Sequence, residues 1–233
     1  GEKNNLGGGI LISDSKELSK IQNTKISYLA GNKNNLNSEF LIFGSINFHQ
    51  TNVEINNVNF ENIYSEDAIN IFRSSFKINN SSYSNIQSDA IDIDFSNGEI
   101  NSVKFENVKN DAIDFSGSEV SIYNSHFSNV SDKLISAGEN SKINISKIKG
   151  LNSHAGIISK DGSEVYSSDI DFNGVAIPFA AYQKKKEYNH GLLVVKNYDI
   201  NNFSAKWIKD KKSKIIVNNI PVEIGTKNAL SII

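Results

Sequence analysis

One short phrase is written four times between residues 66 and 136: EDAINI at 66–71, SDAIDIDF at 88–95, NDAIDF at 110–115 and SDKLIS at 131–136. Its leading aspartates, Asp67, Asp89, Asp111 and Asp132, are 22, 22 and 21 residues apart. A fixed period of this size, with one strand-like phrase in each repeat, is typical of coils stacked in a solenoid. The fold of the chain is therefore decided by this stretch.

Each repeat contains two further strand-like segments. A second segment alternates apolar and polar residues, as in Val53-Glu54-Ile55, and a third ends on an aromatic residue and an asparagine. These asparagines are spaced 23, 22 and 22 residues apart, and they are Asn62, Asn85, Asn107 and Asn129. We expect their side-chain amides to lie one above another at a turn and to bond their copies above and below.

Three short parallel strands per repeat predict an all-β fold, a single-stranded right-handed parallel β-helix of about 8–9 coils and roughly 22 residues per coil. We expect residues 1–233 to form one domain. Within it, residues 1–39 are predicted to be irregular N-terminal coils or a cap, 40–205 regular coils, and 206–233 a C-terminal coil and cap. A cap is expected because the end of a solenoid exposes core and strand edges.

Composition excludes several classes of function. The 233 residues carry a net charge of −2, so there is no basic excess to predict a nucleic-acid partner. No apolar run approaches the roughly 18 residues of a membrane-spanning helix.

The chain has no cysteine and no methionine, and its polar start, Gly1-Glu2-Lys3, suggests a processed or excised piece of a longer protein. No organic cofactor is predicted, because no phosphate-binding glycine loop is present.

The coils resemble the pectate-lyase-like superfamily of β-helices over roughly residues 40 to 205. More narrowly, the phrases at 65–71, 110–118, 138–141, 159–163 and 181–188 look like those of bacterial extracellular β-helix repeat proteins. The superfamily contains polysaccharide lyases, epimerases, hydrolases, phage tailspikes and adhesins. The resemblance thus implies a secreted or cell-surface protein, although superfamily membership alone does not fix a function.

Acidic side chains gather on one outward face of the predicted helix. Because Ile91 and Ile93 must point inward, alternation places Asp92 and Asp94 outward, and in the next coil it places Asp114 outward. Asp92 then stacks on Asp114 at a strand spacing of about 4.8 Å. Two like charges at about 5 Å repel by roughly 3 kcal/mol at an effective dielectric near 20.

Three arrangements would offset this repulsion, and the sequence does not choose between them. A Ca²⁺ ion held by Asp92, Asp94 and Asp114 is one, since hard cations take several carboxylates. A neighbouring lysine is the second, and a carboxyl group that keeps its proton is the third. A bound Ca²⁺ would also bridge to the carboxylate of a uronic-acid polymer and make its α-proton easier to remove.

Five residues on the same face are candidates for acid–base catalysis: Glu139, Lys160, Asp161, Tyr182 and Lys184. In lyase or epimerase chemistry Lys160, Lys184 or Tyr182 would be the base or acid. An acid and base paired without metal would instead fit glycoside hydrolysis.

Simpler interpretations stand beside these. The leading aspartates commonly bond turn N–H groups. The simpler interpretation of Glu139, Lys160 and Asp161 is that they are solvated or ion-paired turn residues. The loop that contains Lys184 is either solvated or clamps an acidic polymer. The four histidines, scattered along the chain, do not have zinc-like spacing. The predicted function is a secreted or surface β-helix that binds or processes polysaccharide, acidic polysaccharide included, on the outward Asp/Glu/Lys face in a lyase- or epimerase-like way. The alternative is a non-catalytic structural, adhesive or carbohydrate-binding module.

Overall fold

The computed structural model describes residues 1–31, 44–223, 229 and 233, and the regular elements in these ranges are β-strands. In chain order they are β1 (Ile10–Ser13), β2 (Ser19–Ser27), β3 (Gly44–His49), β4 (Val53–Ile63), β5 (Asp67–Phe72), β6 (Ser75–Asn79), β7 (Ser82–Ile86), β8 (Asp89–Asp94), β9 (Asn97–Asn101), β10 (Lys104–Val108), β11 (Ile113–Ser116), β12 (Glu119–Tyr123), β13 (His126–Val130), β14 (Lys133–Gly138), β15 (Lys142–Lys160), β16 (Glu164–Tyr182), β17 (Leu192–Asn201), β18 (Trp207–Lys209), β19 (Lys214–Val217) and β20 (Ile220–Pro221).

Each strand from β1 to β19 pairs in parallel with its counterpart one coil away. Ile91 of β8, for example, pairs with Ile69 in the coil before and with Ile113 in the coil after. The stacked strands form three sheets, and the sheet that contains β5, β8, β11 and β14 is called sheet 1 here. The result is a parallel β-solenoid of about 8 turns with roughly 22 residues per turn, which confirms the predicted fold class and period.

Left-handed backbone conformations make the corners between sheets. The long strands β15 and β16 run through all three sheets, and they bend at residues with positive φ, such as Asn152 (φ 46°) and Gly174 (φ 74°). Most non-glycine residues with positive φ are asparagines, which tolerate this conformation better than other L-residues do. The frequent Asn of the sequence is therefore a requirement of the coil.

The interior is filled by stacked apolar side chains. Phe60, Tyr83, Phe105 and Phe127 form a continuous aromatic stack with ring centroids 4.7, 5.1 and 4.8 Å apart. A second, smaller apolar cluster lies on the outer side of sheet 1 in the last coils, where it contains Ile158, Ala180, Tyr182, Ile208 and Ala229. The sequence predicts one long core, and the structure adds this second cluster outside it.

The predicted asparagine ladder is present at a corner of the coils. The Nδ2 atoms of Asn85, Asn107 and Asn129 each donate to Oδ1 of the copy one coil before, at 3.2, 3.1 and 3.1 Å. All four residues, Asn62 included, have φ between 54° and 56°. The prediction of amide bonding between copies is confirmed, and the same residues also supply the left-handed corner.

Replacing Asn107 separates these two contributions. Asn107→Ala removes both ladder bonds and forces a Cβ-bearing residue without a local hydrogen bond into the left-handed region, so we expect a loss of about 2 kcal/mol in the free energy of unfolding. Asn107→Gly removes only the ladder, and we expect a loss of about 1 kcal/mol. Urea unfolding of the two variants checks this, and equal losses would show that the backbone conformation contributes nothing.

The two ends of the solenoid differ. At the N-terminal end β1 and β2 already pair in parallel register with β3 and β4, so regular pairing begins at Ile10. The predicted boundary at residues 39 and 40 lies outside the described residues. At the C-terminal end β20 turns back antiparallel to β19, which ends the parallel stacking inside the predicted cap.

Candidate functional site

Three outward rows of polar residues on sheet 1 form what is called the acidic face here. Its carboxyl groups lie in neighbouring rows, which are set by the register of β5, β8 and β11 and, for Asp111, by its backbone bond to Asp89; they belong to Asp67, Asp89, Asp92, Asp94, Asp111 and Asp114. Alternation is the cause: Ile91 and Ile93 are fully buried, and the aspartates between and after them remain partly exposed. The predicted stacking of Asp92 on Asp114 is confirmed by their pairing.

Asn70 supplies the first compensation for the carboxylates. It occupies the position of Asp92 one coil earlier, and its Nδ2 lies 3.0 Å from Oδ2 of Asp92 and 3.5 Å from Oδ2 of Asp94. Asn70 is buried, so its amide is held in place. The amide of Asn70 thus donates hydrogen bonds to two outward carboxyl groups and stabilises them side by side on the same face.

Lys160 supplies the second compensation. Its Nζ lies 3.3 Å from Oδ1 of Asp114, two coils away, and its side chain is only 8% exposed. Gly138 makes this reach possible, because a Cβ on Gly138 would lie 2.9 Å from Cε of Lys160. Burial lowers the pKa of Lys160, but Asp114 and Asp111 outweigh this and raise it overall. Lys160 is therefore a fixed ammonium group at neutral pH.

Proton retention is the third compensation. Burial, with Asp94 and Asp114 adding to it, raises the pKa of Asp92 to about 8. Burial followed by the charge of Asp92 raises the pKa of Asp67 to about 9, and burial raises the pKa of Asp94 as well. Two of the three offsets that the sequence left open, a lysine and a retained proton, therefore operate together on this face.

Two of the four leading aspartates, Asp89 and Asp111, bond backbone N–H groups as predicted. Oδ1 of Asp89 accepts from N–H of Asp111 at 2.8 Å, and Oδ1 of Asp111 accepts from N–H of Lys133 at 2.9 Å. The fourth leading position differs from the prediction, because Lys133 rather than Asp132 stands in register with Asp111. Lys133 also pairs with Asp111 at 3.4 Å, so the row ends in a cation.

Glu139 and Asp161 lie in the turns after sheet 1, one coil apart. Oε2 of Glu139 accepts from Oγ of Ser116 at 2.7 Å, and Oε1 pairs with Nζ of Lys185. Asp161 is fully buried, and its Oδ1 accepts from the backbone N–H groups of Lys184 and Lys185 at 2.6 Å each. Glu139 therefore borders the acidic face, whereas Asp161 anchors the loop that follows Tyr182.

Tyr182 and Lys184 occupy different environments. Tyr182 pairs with Lys160 along the strand register but is only 3% exposed and belongs to the outer apolar cluster. Burial raises the pKa of its phenol, although Lys160 and Lys133 oppose this. Lys184 has an exposed side chain, and it is the next residue, Lys185, that reaches Glu139. The structure thus groups Glu139 and Lys160 with the aspartates, and leaves Lys184 outside.

Sequence reasoning missed two parts of this site. Asn70 and Lys185 are not among the candidates predicted from the sequence, because an amide and one lysine of a polar loop have no distinctive pattern. The leading aspartates were separated from Asp92 and Asp114 as turn residues, yet they lie on the same face and interact electrostatically with them. The 22-residue period was the available signal, since it places all of them within adjacent coils.

The calcium site at Asp92, Asp94 and Asp114 stays a prediction. Across residues 1–31 and 44–223, with 229 and 233, no three His, Cys, Asp or Glu side chains are arranged to hold a metal ion. Asn70 bonds Oδ2 of Asp92 and of Asp94, and Lys160 pairs with Oδ1 of Asp114, so one oxygen of each carboxyl group already has a partner. In the same part of the chain, no helix has the length and apolarity that a membrane crossing requires.

Comparison with solved structures finds matches to this chain at low sequence identity and low TM-score. No protein-family model matches the chain, and no curated protein matches it. A catalytic domain of a GH87 alpha-1,3-glucanase in complex with nigerose is 9% identical with a TM-score of 0.38, over 89% of this chain and 55% of that chain.

PfbA, a surface adhesin of Streptococcus pneumoniae, is 14% identical with a TM-score of 0.38, over 93% of this chain and 74% of that chain. The chain therefore spans about half the length of the glucanase domain that it matches, 55% of it. At this level of similarity neither protein indicates what this chain binds or does.

Proposed function

We propose that the chain is a secreted or cell-surface β-solenoid that binds or processes polysaccharide on the acidic face. The observation that carries the proposal is the arrangement around Asp92, a partly exposed carboxyl group that is stacked on Asp114 and fixed by Asn70. Its raised pKa, near the operating range of an enzyme, suits a general acid. Sugar hydroxyl and glycosidic oxygens are the acceptors that such a group would serve.

The roles of the basic residues follow from their surroundings. The raised pKa of Lys160 keeps this side chain a cation, which makes it a poor base. In a lyase- or epimerase-like reaction Lys160 would instead exchange its ion pair with Asp114 for one with a substrate carboxylate. Lys184 and Tyr182 are weaker candidates for proton transfer, because the side chain of Lys184 is exposed outside the acidic face and that of Tyr182 is buried. Glu139 and Asp161 would position the loop that bears Lys184 and Lys185.

Asp92→Asn tests the proposal directly. The variant keeps the shape of the side chain and its contact with Asn70 but cannot transfer a proton, so turnover should fall at least about 100-fold while binding is retained. A panel of acidic and neutral polysaccharides, screened for binding and for cleavage, provides the measurement. Asp171→Asn, on an exposed aspartate away from sheet 1, is the matched control. Unchanged turnover in Asp92→Asn would exclude Asp92 as the acid.

The alternative is a non-catalytic adhesive or carbohydrate-binding module. It is favoured by the ion pairs of Asp114 with Lys160 and of Glu139 with Lys185, which leave these carboxylates engaged. In that case the same panel gives binding without turnover. Asp92→Asn would then change affinity without any change in product.

A calcium ion remains part of the proposal for lyase-like chemistry. Ca²⁺ at 5 mM should raise the melting temperature if Asp92, Asp94 and Asp114 bind it, because a ligand of the native state stabilises that state. The combined variant Asp92→Asn/Asp114→Asn should lose this shift. Mg²⁺ at the same concentration is the control, and an unchanged melting temperature with Ca²⁺ in the wild-type chain would rule the site out.

A further inference from the structure

Two large side chains adopt a left-handed backbone at the corner next to the acidic face. Arg73 and Phe95 both have φ of 48°, and they occupy equivalent positions in consecutive coils. This conformation is unfavourable for bulky residues, and most of the other corners use asparagine. Asparagine would adopt this left-handed conformation with less backbone strain. In Arg73 and Phe95 the contacts of the side chains therefore offset the strain of the backbone.

The ring of Phe95 is fixed by contacts with its neighbours, although much of it is exposed to solvent. Its ring meets Phe72 edge-on, with centroids 6.0 Å apart and an interplanar angle of 89°. In the next coil Gly117 lies against the ring, since a Cβ there would be 2.7 Å from a ring carbon. Phe95 is nevertheless 56% exposed. A fixed aromatic ring with an open side is a surface on which a flat apolar group can stack.

Arg73 lies beside this ring, in a polar cavity. The cavity has a volume of about 350 Å³ and is lined by Arg73, Phe95 and neutral hydroxyl and amide side chains such as Gln50, Asn52 and Asn97. Arg73 is the sole arginine of the chain, and its guanidinium carbon lies 5.0 Å from the centroid of Phe72. No carboxylate lines the cavity, and none in the described part of the chain pairs with Arg73.

We propose that this cavity is a subsite for a carboxylate-bearing sugar unit, in which Arg73 binds the carboxylate and Phe95 stacks against the sugar ring. A guanidinium group matches a carboxylate through two parallel hydrogen bonds. The neutral amides and hydroxyls of the lining suit sugar hydroxyls. This inference rests on the proposed function, because it names an anionic polysaccharide as the polymer that the acidic face takes.

The subsite is continuous with the acidic face. Backbone N–H of Arg73 donates to the carbonyl of Asp94 at 2.9 Å, and Phe95 follows Asp94 in the chain. A polymer bound at Arg73 would therefore extend along the coils past Asp94 towards Lys160. The protons retained by the carboxyl groups and the cations Lys133 and Lys160 reduce the repulsion that such a polymer would meet.

Titration with an oligogalacturonate, and with the same oligomer after reduction of its carboxyl groups, tests the subsite. Because the chain has a single arginine, its Nε–H gives one NMR signal that reports directly on Arg73. We expect the charged oligomer to shift this signal and to bind about 10-fold more tightly than the reduced one. Arg73→Gln should abolish that preference, and Phe95→Asn, which suits the left-handed backbone, should weaken binding of both oligomers.

Lys77→Gln is the matched control, since Lys77 is an exposed cation of the same region that does not line the cavity. It should leave both affinities unchanged. An equal loss in Lys77→Gln and Arg73→Gln, or no loss in Arg73→Gln, would overturn the subsite and leave the proposed function standing. Equal binding of the charged and reduced oligomers would overturn the anionic class alone. Failure of every polysaccharide to bind would overturn the subsite and the proposed function together.

Discussion

Lys160→Met should lower the free energy of unfolding by about 3–5 kcal/mol, among the largest single effects expected in this chain. The ammonium group of Lys160 is the buried counter-charge of Asp114, with Nζ and Oδ1 3.3 Å apart. Methionine keeps most of the apolar stem that packs over Gly138 but removes the charge. Asp114 then remains beside Asp92 and Asp111 without a cation, which is the costly outcome of breaking a buried ion pair.

A double-mutant cycle separates the lost ion pair from lost packing. Lys160→Met/Asp114→Asn removes both charges, so it should recover at least about 1 kcal/mol relative to Lys160→Met alone. Guanidinium unfolding of the single and double variants provides the free energies. Lys142→Met, on an exposed lysine at the start of the same strand β15, is the control and should change stability by less than about 0.5 kcal/mol. Purely additive losses would contradict the pairing with Asp114.

The protein should become less stable as pH rises from 5 to 9. The unfolded chain loses its aspartate protons near pH 3.9. In the folded chain burial raises the pKa of Asp89 to about 6, of Asp92 to about 8 and of Asp67 to about 9. Between the unfolded pKa near 3.9 and the highest folded pKa, about 9 for Asp67, the folded state binds more protons than the unfolded state. The free energy of unfolding therefore falls as pH rises through this range. We expect a total fall of roughly 3 kcal/mol or more.

Neutral variants of the same residues should flatten this dependence. Asp67→Asn imitates the protonated form, so it should be more stable than the wild-type chain at pH 9 and close to it at pH 5. Urea unfolding at pH 5, 7 and 9 measures the change. Lys160 does not contribute in this range, because its pKa is raised above the usual value and its stabilisation is lost only at higher pH. A stability that rises with pH would contradict the assignment of raised aspartate pKa values.

The regular part of the fold could be predicted because each coil repeats one local pattern. The 22-residue period and the alternation around Ile91 and Ile93 were enough to predict a parallel solenoid and to place Asp92 and Asp114 outward and stacked. The asparagine corners were equally predictable, since Asn is the residue that tolerates left-handed φ and also bonds its own copy. In such a repeat, residues one period apart in the sequence are stacked on one another in adjacent coils.

Contacts that cross coils are different in kind. Lys160 reaches Asp114 over 46 residues, Lys185 reaches Glu139 from a loop outside the period, and Lys133 takes the register of the leading aspartates. The outer apolar cluster around Tyr182 also forms between distant segments. Side-chain length, the gap left by Gly138 and the path of an irregular loop decide these contacts, and none of them has a period.

The sequence alone therefore determined the solenoid, its period and the outward row of aspartates, because backbone pairing and alternation act over neighbouring residues and recur in every coil. The tertiary structure alone decided how that row is neutralised, by Asn70, by Lys160 and by retained protons. The reason is physical: electrostatic balance on a half-buried face depends on burial and on charges brought together from several coils. These quantities exist only once the coils have stacked.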